Sequence, residues 1–431
     1  MDSRFASNPI QIAASVEDAA RVIVGAGHVR PASADDAVTG IQPQFVVEPG
    51  TEQELANVLK LANDAGLAVI TRGGGTKLAW GNPPQRADIV LTTARLNAIL
   101  EHAWSDLTVT VEAGCTIKQL RETLAEHGQR LALDALWPSR ATVGGILSAN
   151  DSGALRLRFG SLRDLVIGVT LALPDGTLAK SGGKVVKNVA GYDLPKLVTG
   201  ALGTLGVVTR ATFRLHPLPK ESRAISCLAR DPQEAQRLIL AIQDSKLAHS
   251  ALQVRFVESM LPQIDVLFEA TQAGLTAQVE QLKAILAPSA TVDSGPPVWN
   301  ARQELFSAAK DNESGAALAK ISILPAQIAE AFEKLRSVAA NQIRCNAVIQ
   351  ATGIGSVYLE APPAALADAL KTLRTKFEAM GGSLMIAYRP AAILSIDAWG
   401  DPGDALPLMR SIKQQLDPKS TLNPGRFVGG I

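Results

Sequence analysis

The sequence predicts an α+β protein of more than one domain, and three observations carry that prediction. Its 431 residues exceed one ordinary core and suit two or three domains. Hydrophobic residues make up 47% and charged residues 19%, a globular composition rather than a disordered one. Short β-like runs alternate with amphipathic helical stretches, and the texture of that alternation changes near residue 220.

Taken in order, FVVEP at 45–49 reads as a short strand, and TEQE follows with Thr51 at the N-cap and Glu54 at the third helical position. Leu55, Val58, Leu59 and Ala62 recur at helical spacing, and Gly66 ends the helix. LAVI at 67–70 is the next strand, and it delivers the chain into RGGGTK at 72–77. From 88 onward DIVLTT, LTVTVEAG and LVIGVTLALPDG are strand-like, with a helix expected at LRETLAEHG, 120–128.

Past 220, ISCLAR leads to DPQEAQRLILAIQDS, with Asp231 as N-cap and Pro232 at the first helical position, and then to the strand ALQVRFVE. AKISIL, PAQIAEAFEKLRSVA, NAVIQAT, SVYLEA, LADALKTLRTKFEAMGG and SLMIAYRP then follow a β-α-β-β-α-β order, the ferredoxin-like pattern. The expected domains are an N-terminal extension at 1–40, a first domain at 41–220, a second at 221–395 and a C-terminal segment at 396–431 that returns to the first. No fixed-period repeat is visible.

Lys plus Arg is 42 against 41 for Asp plus Glu, which leaves no electrostatic argument for a nucleic-acid partner. Any anion site has to be local. The three cysteines, Cys115, Cys227 and Cys345, lie far apart and form no CxxC pair, so no iron–sulfur or zinc site is written and no metal is expected. The first twenty residues lack the apolar stretch of a signal peptide, and no apolar run is long enough for a membrane span. A cytoplasmic location is the expectation, and attachment to a membrane through a partner would leave no trace in the sequence.

RVIVGAGHVRP at 21–31 contains G-x-G, but Arg30 stands where the third glycine belongs and Pro31 follows where a helix should start. Without that helix N-terminus the dinucleotide fingerprint lacks its mechanism. A loop or helix end is the better reading. Four other clusters are ordered and numerous: RGGGTK at 72–77, PSRATVGGILSANDSG at 138–153, KVVKNVAGYDLPKLVTGALGTLGVV at 184–208, and NPGRF at 423–427. Successive glycine N–H groups form a nest for phosphate oxygens, which lets a nearly neutral protein hold a diphosphate. Gly73, Gly74 and Gly75 suit that task, with Arg72 or Lys77 adding charge. A tight surface turn is the alternative for the triplet alone.

The order RGGGT, VEAG, TVGG, GSLRDLVIGVTLALPDG, KNVAGYDLPKLVTGALGTLGVV and LNPGRF resembles the FAD-binding family of vanillyl alcohol oxidase and para-cresol methylhydroxylase. Within it the chain is most similar to FAD-binding subunits of bacterial glycolate oxidases. The resemblance is specific over roughly 40–220 and the final twenty residues. It implies a two-subdomain FAD-binding domain of the vanillyl alcohol oxidase type plus an α+β, ferredoxin-like cap. Carried over by motif, Arg72, Gly73, Gly74, Gly75, Thr76 and Lys77 would wrap the pyrophosphate. Pro138, Ser139 and Thr142 would follow the ribityl and ring side, and Gly144 and Gly145 would allow close approach. Ser148, Asn150, Ser152 and Gly153 would continue the wall. Gly206, Val207 and Val208 would meet the adenine or the ring edge, with plain core packing as the alternative for the two valines.

Some relatives attach FAD through a histidine in the pyrophosphate loop. RGGGTKLAWG holds no histidine or cysteine, so non-covalent FAD is expected. The catalytic chains that oxidise glycolate or D-lactate carry an HxGDGNxH segment in the cap, and this sequence has nothing like it. Tyr388, Arg389, Tyr192 and Asp193 are the remaining candidates for a proton acceptor and a carboxylate clamp, since arginine meets a carboxylate bidentately. Each also has an ordinary structural reading. The resemblance implies a subunit of a glycolate or 2-hydroxy acid oxidase complex, with a homologous FAD-linked catalytic subunit and an iron–sulfur subunit as partners. The alternatives are a free-standing FAD-dependent dehydrogenase of a small acid or alcohol, and a non-catalytic, FAD-stabilised assembly subunit.

Overall fold

The computed structural model describes residues 9–184, 191–257, 260–286, 291–294, 296–340 and 342–431. The first layer begins with α1 (Pro9–Val24), β1 (Val29–Pro31), β2 (Phe45–Val47), α2 (Glu52–Asp64), β3 (Val69–Arg72) and β4 (Ile89–Thr92). The strands form a sheet in the order β1-β2-β4-β3, with β2, β4 and β3 parallel. Leu55, Val58, Leu59 and Ala62 of α2 pack with Phe45, Val47, Val69 and Leu91 of the sheet, so the helical spacing read from the sequence is the buried face. Thr51 Oγ1 accepts from the Glu54 N–H at 3.1 Å, a cap worth about 1 kcal/mol. The Glu54 carboxylate reaches past the cap residue to the Gly50 N–H at 2.7 Å instead of closing the reciprocal bond on Thr51. Gly25 follows the end of α1 with φ 89°, a helix end as expected and not a nucleotide loop.

The second layer comprises β5 (Ile99–Ala103), β6 (Thr108–Glu112), α3 (Ile117–Ala125), β7 (Gln129–Arg130), α4 (Val143–Ala149), α5 (Arg156–Phe159), α6 (Leu162–Leu165), β8 (Val166–Ala172), β9 (Leu178–Gly182), α7 (Leu194–Val198), β10 (Val207–Arg214) and β11 (His216–Pro217). Its antiparallel sheet runs β5-β6-β10-β8-β9. Helix α3 starts three residues before the stretch expected from the sequence, because Thr116 caps it by accepting from the Gln119 N–H at 3.2 Å.

The cap follows as β12 (Glu221–Leu228), α8 (Pro232–Gln243), β13 (His249–Phe256), β14 (Gln263–Ala270), α9 (Gln272–Leu286), β15 (Thr291–Ser294), α10 (Ala301–Asp311), β16 (Ala316–Ser322), α11 (Ile328–Ala339), β17 (Arg344–Gln350), β18 (Ile354–Glu360), α12 (Pro363–Ala379) and β19 (Ser383–Tyr388). All eight strands join one sheet, ordered β15-β12-β14-β13-β17-β18-β16-β19. The β-α-β-β-α-β order read from AKISIL at 319 onward therefore occurs twice, and the two copies meet edge to edge where β13 pairs antiparallel with β17. No repeat of residues marks the duplication, which lives in topology alone. Helices α8, α9, α11 and α12 cover one face around Phe256, Phe268, Phe332 and Phe377. The other face carries α10 and turns toward the first two layers, where Phe306, Leu318 and Tyr358 pack with Trp80 and Leu136.

After the cap the chain passes through α13 (Leu406–Leu416) and returns to the first sheet. Leu422 bridges Val69 in parallel, with the Val69 N–H donating to Thr421 O at 2.7 Å and the Asn423 N–H donating to Val69 O at 2.9 Å. Buried Lys413 ties this return down, donating to Asp417 at 2.6 Å and to the carbonyls of Thr204 and Leu422.

Candidate functional site

The end of β3 opens into a groove between the two layers. Two glycines leave the loop no room for side chains. A Cβ on Gly73 would fall 2.1 Å from Thr142 Oγ1, and one on Gly74 would fall 1.6 Å from the Arg140 carbonyl oxygen. Gly75 adopts φ 69°. The backbone N–H groups of Gly73, Gly74, Gly75 and Thr76 donate to no acceptor among the described residues, although each stands in the groove wall. Four successive unspent donors on a bare backbone are the chemistry a diphosphate requires, so the residues present fit the pyrophosphate of FAD.

The cations of this loop are already engaged. Arg72 bonds Asp36 at 2.7 Å, and Asp36 also pairs with Arg30 and closes the turn at Ser33. The Arg30 hydrogen bond is the largest effect holding the Asp36 carboxyl well below the usual range. Arg426, from the terminal NPGRF motif, donates to Trp80 O at 2.8 Å while its buried Nε has no protein partner.

The opposite wall comes from α4, whose N-cap Thr142 accepts from the Gly145 N–H. Gly144 sits so close to Ala113 that a Cβ would approach its side chain at 2.9 Å. Thr142, Gly144, Gly145, Ser148, Gly206, Val207 and Val208 line the groove with the whole of the 72–77 loop. Pro138, Ser139, Asn150, Ser152 and Gly153 do not line it. Pro138 O accepts from the Lys118 N–H, Ser139 is exposed, and the Gly153 N–H donates to Asp134 at 2.7 Å. Asn150 ends α4 in the left-handed region at φ 46°, and its Oδ1 and Ser152 Oγ are buried without protein partners. Residues 185–190 of the third glycine-rich cluster lie outside the described residues. Thr71, Thr93, Leu202, Gly203 and Arg426 also line the groove and were not named individually from the sequence, although Leu202 and Gly203 fall within the 184–208 cluster. The terminal NPGRF motif had signalled Arg426.

At the cap side the groove meets a crowded set of charges. Lys77 bonds the fully buried Asp151 at 2.9 Å, and Arg302 of α10 bonds the same carboxylate. Burial is the largest influence on Asp151 and pushes its pKa up, but Lys77 and Arg302 together outweigh it and hold the group ionised. Lys77 is moved downward, because burial and the Arg302 charge exceed what a shared carboxylate returns. Helix α10 presents one face here. Arg302 reaches Asp151, Gln303 accepts from the Trp137 N–H at 3.1 Å, and Phe306 lies 5.8 and 5.7 Å from the Trp80 and Trp137 rings. Lys310 stands over Trp137 at 4.3 Å, and Lys320 of β16 stands over Trp80 at 4.5 Å. None of Arg302, Lys310 and Lys320 belongs to a motif, and the only trace of them in the reading of the sequence is the lysine of the strand AKISIL.

The three residues singled out for catalysis are dispersed. Tyr388 joins the aromatic cluster around Trp80, and burial followed by the Glu313 charge raises its pKa. Arg389, beside it, is buried and donates to the carbonyls of Gly81 and Leu394 at 3.3 Å, with burial lowering its pKa to about 10. Tyr192 is 89% exposed, and Asp193 caps α7 and pairs with Lys196. His28, His102, His127, His216 and His249 all lie off the groove wall. Among the described residues no group of three or more His, Cys, Asp or Glu could hold a metal ion.

Comparison with known proteins agrees with this geometry. Residues 43–182 match the FAD binding domain model, and 401–427 match that of the C-terminal domain of FAD linked oxidases. The chain is 31% identical over 211 residues to glycolate oxidase subunit GlcD of Bacillus subtilis, a match spanning 49% of this chain and 45% of that protein. It is 27% identical over 408 residues to D-lactate dehydrogenase of Archaeoglobus fulgidus, covering 89% of this chain and 91% of the relative. Substrate-bound p-cresol methylhydroxylase superposes with a TM-score of 0.76 at 16% identity, covering 96% of each chain. The glycine-walled groove and the matched FAD binding domain give this chain FAD as its cofactor, and its fold is that of p-cresol methylhydroxylase.

Proposed function

We propose that the chain is the FAD-binding subunit of a complex that oxidises a small 2-hydroxy acid such as glycolate, and that electrons leave through an iron–sulfur partner. The observation that carries this reading is the junction of the FAD groove with the cation-rich space under α10. There Lys77, Arg302, Lys310 and Lys320 gather around the buried carboxylate Asp151, with the exposed Glu313 acting on Lys310 as a second acid. An acid anion is the ligand such a space favours. The chemistry that bound FAD would supply is acceptance of a hydride from the carbon bearing the hydroxyl and onward transfer of its electrons. This chain's residues would hold the diphosphate on the 73–76 N–H groups, orient the acid by charge, and exclude water with Trp80, Trp137 and Phe306.

The cofactor groove and the charges beside it supply no carrier for the outgoing electrons. The cysteines are separate and buried, which supports a partner for that task. No helix among the described residues is long and apolar enough to cross a membrane. A free-standing dehydrogenase is the second reading, favoured by the near full-length match to the Archaeoglobus fulgidus enzyme. Glycolate-driven and D-lactate-driven dye reduction, measured per flavin on the purified chain and on the native complex, tests the proposal. Much faster turnover in the complex is expected. Equal turnover would overturn the subunit reading and establish the free-standing one.

A further inference from the structure

Helix α10 belongs to the cap, yet its inward face ends on the cofactor loop. Arg302, Phe306 and Lys310 recur every fourth residue and share that face. Arg302 bonds Asp151, and Asp151 bonds Lys77, the last residue of RGGGTK. Phe306 packs on Trp80, whose N–H donates to Lys77 O at 3.1 Å in the turn that leaves the loop. Lys310 donates to the Thr76 carbonyl at 3.5 Å, and Thr76 carries one of the four unspent N–H donors. The start of the same loop leans on the segment that opens α4, with Gly73 against Thr142 and Gly74 against the Arg140 carbonyl. The loop is thus held between a helix of the second layer and a helix of the cap.

The charges on this contact do not balance. Lys77, Arg302 and Lys310 gather around Asp151, and the exposed Glu313 acts on Lys310 from the edge. The cations push on one another: Arg302 adds to burial in moving Lys77 down, and Arg140 and Lys77 add to burial in moving Lys310 down. Seating α10 against a loop without its cofactor therefore works against like-charge repulsion, and a diphosphate on the loop offsets that opposition.

We propose that α10 is a positioning element for FAD: Arg302 and Lys310 hold the diphosphate loop from the cap side, and the bound diphosphate in turn fastens α10, and with it the cap, onto the first two layers. Such coupling is reciprocal. If a seated α10 raises FAD affinity by some factor, FAD must favour the seating of α10 by the same factor. The inference depends on the cofactor alone and holds for any substrate the cap admits.

Hydrogen exchange followed by mass spectrometry on the full chain, with FAD bound and after its removal, reads the cap side of this coupling. Titration of the FAD-free protein with FAD, followed by flavin fluorescence, reads the loop side. Amides of 301–311 are expected to exchange about fivefold more slowly with FAD bound, while those of α8 and α12, on the far face of the cap sheet, keep their rates. Lys310→Met is expected to lower FAD affinity about fivefold and to leave the thermal midpoint of the FAD-free protein unchanged or higher, because repulsion is removed there. Lys310→Arg should keep the affinity. A lysine of purely structural role would give the reverse, with FAD-free stability falling and FAD affinity holding. Exchange of α10 indifferent to FAD, or slowed no more than that of α8 and α12, overturns the coupling, and so does unchanged FAD affinity in a folded Lys310→Met. If Lys310→Met does not fold, the exchange comparison on the natural protein decides.

Discussion

Arg130 and Glu269 form a two-pronged ion pair across the seam between the second layer and the cap, with both nitrogen–oxygen distances at 2.6 Å. Arg130 sits on β7 and Glu269 on β14, 139 residues later, and both are largely covered. The guanidinium also lies over the Phe159 ring at 5.0 Å, so the contact combines charge with packing. Truncating one partner leaves the other charge buried and unpaired. Arg130→Ala should destabilise the protein by about 3 kcal/mol, the low end for a broken buried pair, while Arg130→Met with Glu269→Leu should recover most of the loss. Denaturant unfolding of the single and double variants measures this, and equal losses in both would show that the pair itself is not the clasp.

Asp151 should be the most sensitive carboxylate of the site. It is fully buried and serves two cations, so Asp151→Asn is expected to cost about 3–5 kcal/mol and to loosen the seating of α10. The sign of its pH dependence follows from a folded-state pKa below the unfolded one. The stabilisation is present above the unfolded value of about 4 and fades as pH falls from there. Acid unfolding followed by fluorescence of the tryptophans should show a later onset of stability loss in Asp151→Asn, relative to its own neutral baseline, than in the natural protein.

Gly74→Val should abolish FAD retention. The cause is steric, since the added Cβ would overlap the Arg140 carbonyl, and no left-handed backbone is involved at this residue. The ratio of flavin to protein absorbance after gel filtration reads the outcome, with far-UV circular dichroism confirming the fold. Full flavin content would remove the loop from the cofactor site.

FAD should leave the chain intact on acid precipitation. The groove wall holds no histidine, cysteine or tyrosine, the side chains that form flavin links. All the yellow colour is expected in the supernatant. Flavin fluorescence on the washed, denatured chain would contradict this.

The sequence disclosed what local chemistry encodes. Thr51 and Asp231 cap their helices because a short oxygen-bearing side chain before an amphipathic run has few other uses. The glycine triplet was legible because only a bare backbone tolerates contact with residues 140–142. The first β-α-β-β-α-β copy was only partly legible. QIDVLFEA was not read as β14, and α9 begins with QAGLTAQ, which carries no clear cap and little amphipathic contrast. Of the charged centre only Lys77 was legible, through the glycine loop it closes. Asp151 meets Arg302 across 151 residues, and Lys320 owes its position to sheet alternation and docking rather than to neighbours in sequence. Long-range partners leave no period behind them.

The return of residues 421–423 to the side of β3 has a consequence in time. A nascent chain exposes the glycine loop early, then lays down the entire eight-stranded cap, and only afterwards delivers Arg426 to the groove and Asn423 to Thr71 and Gly203 of its wall. The cap carries its own core and can consolidate while the cofactor site is still missing a wall. The segment that finishes the FAD site is thus made after the cap, and the flavin meets a complete socket only once the chain has passed through all eight cap strands.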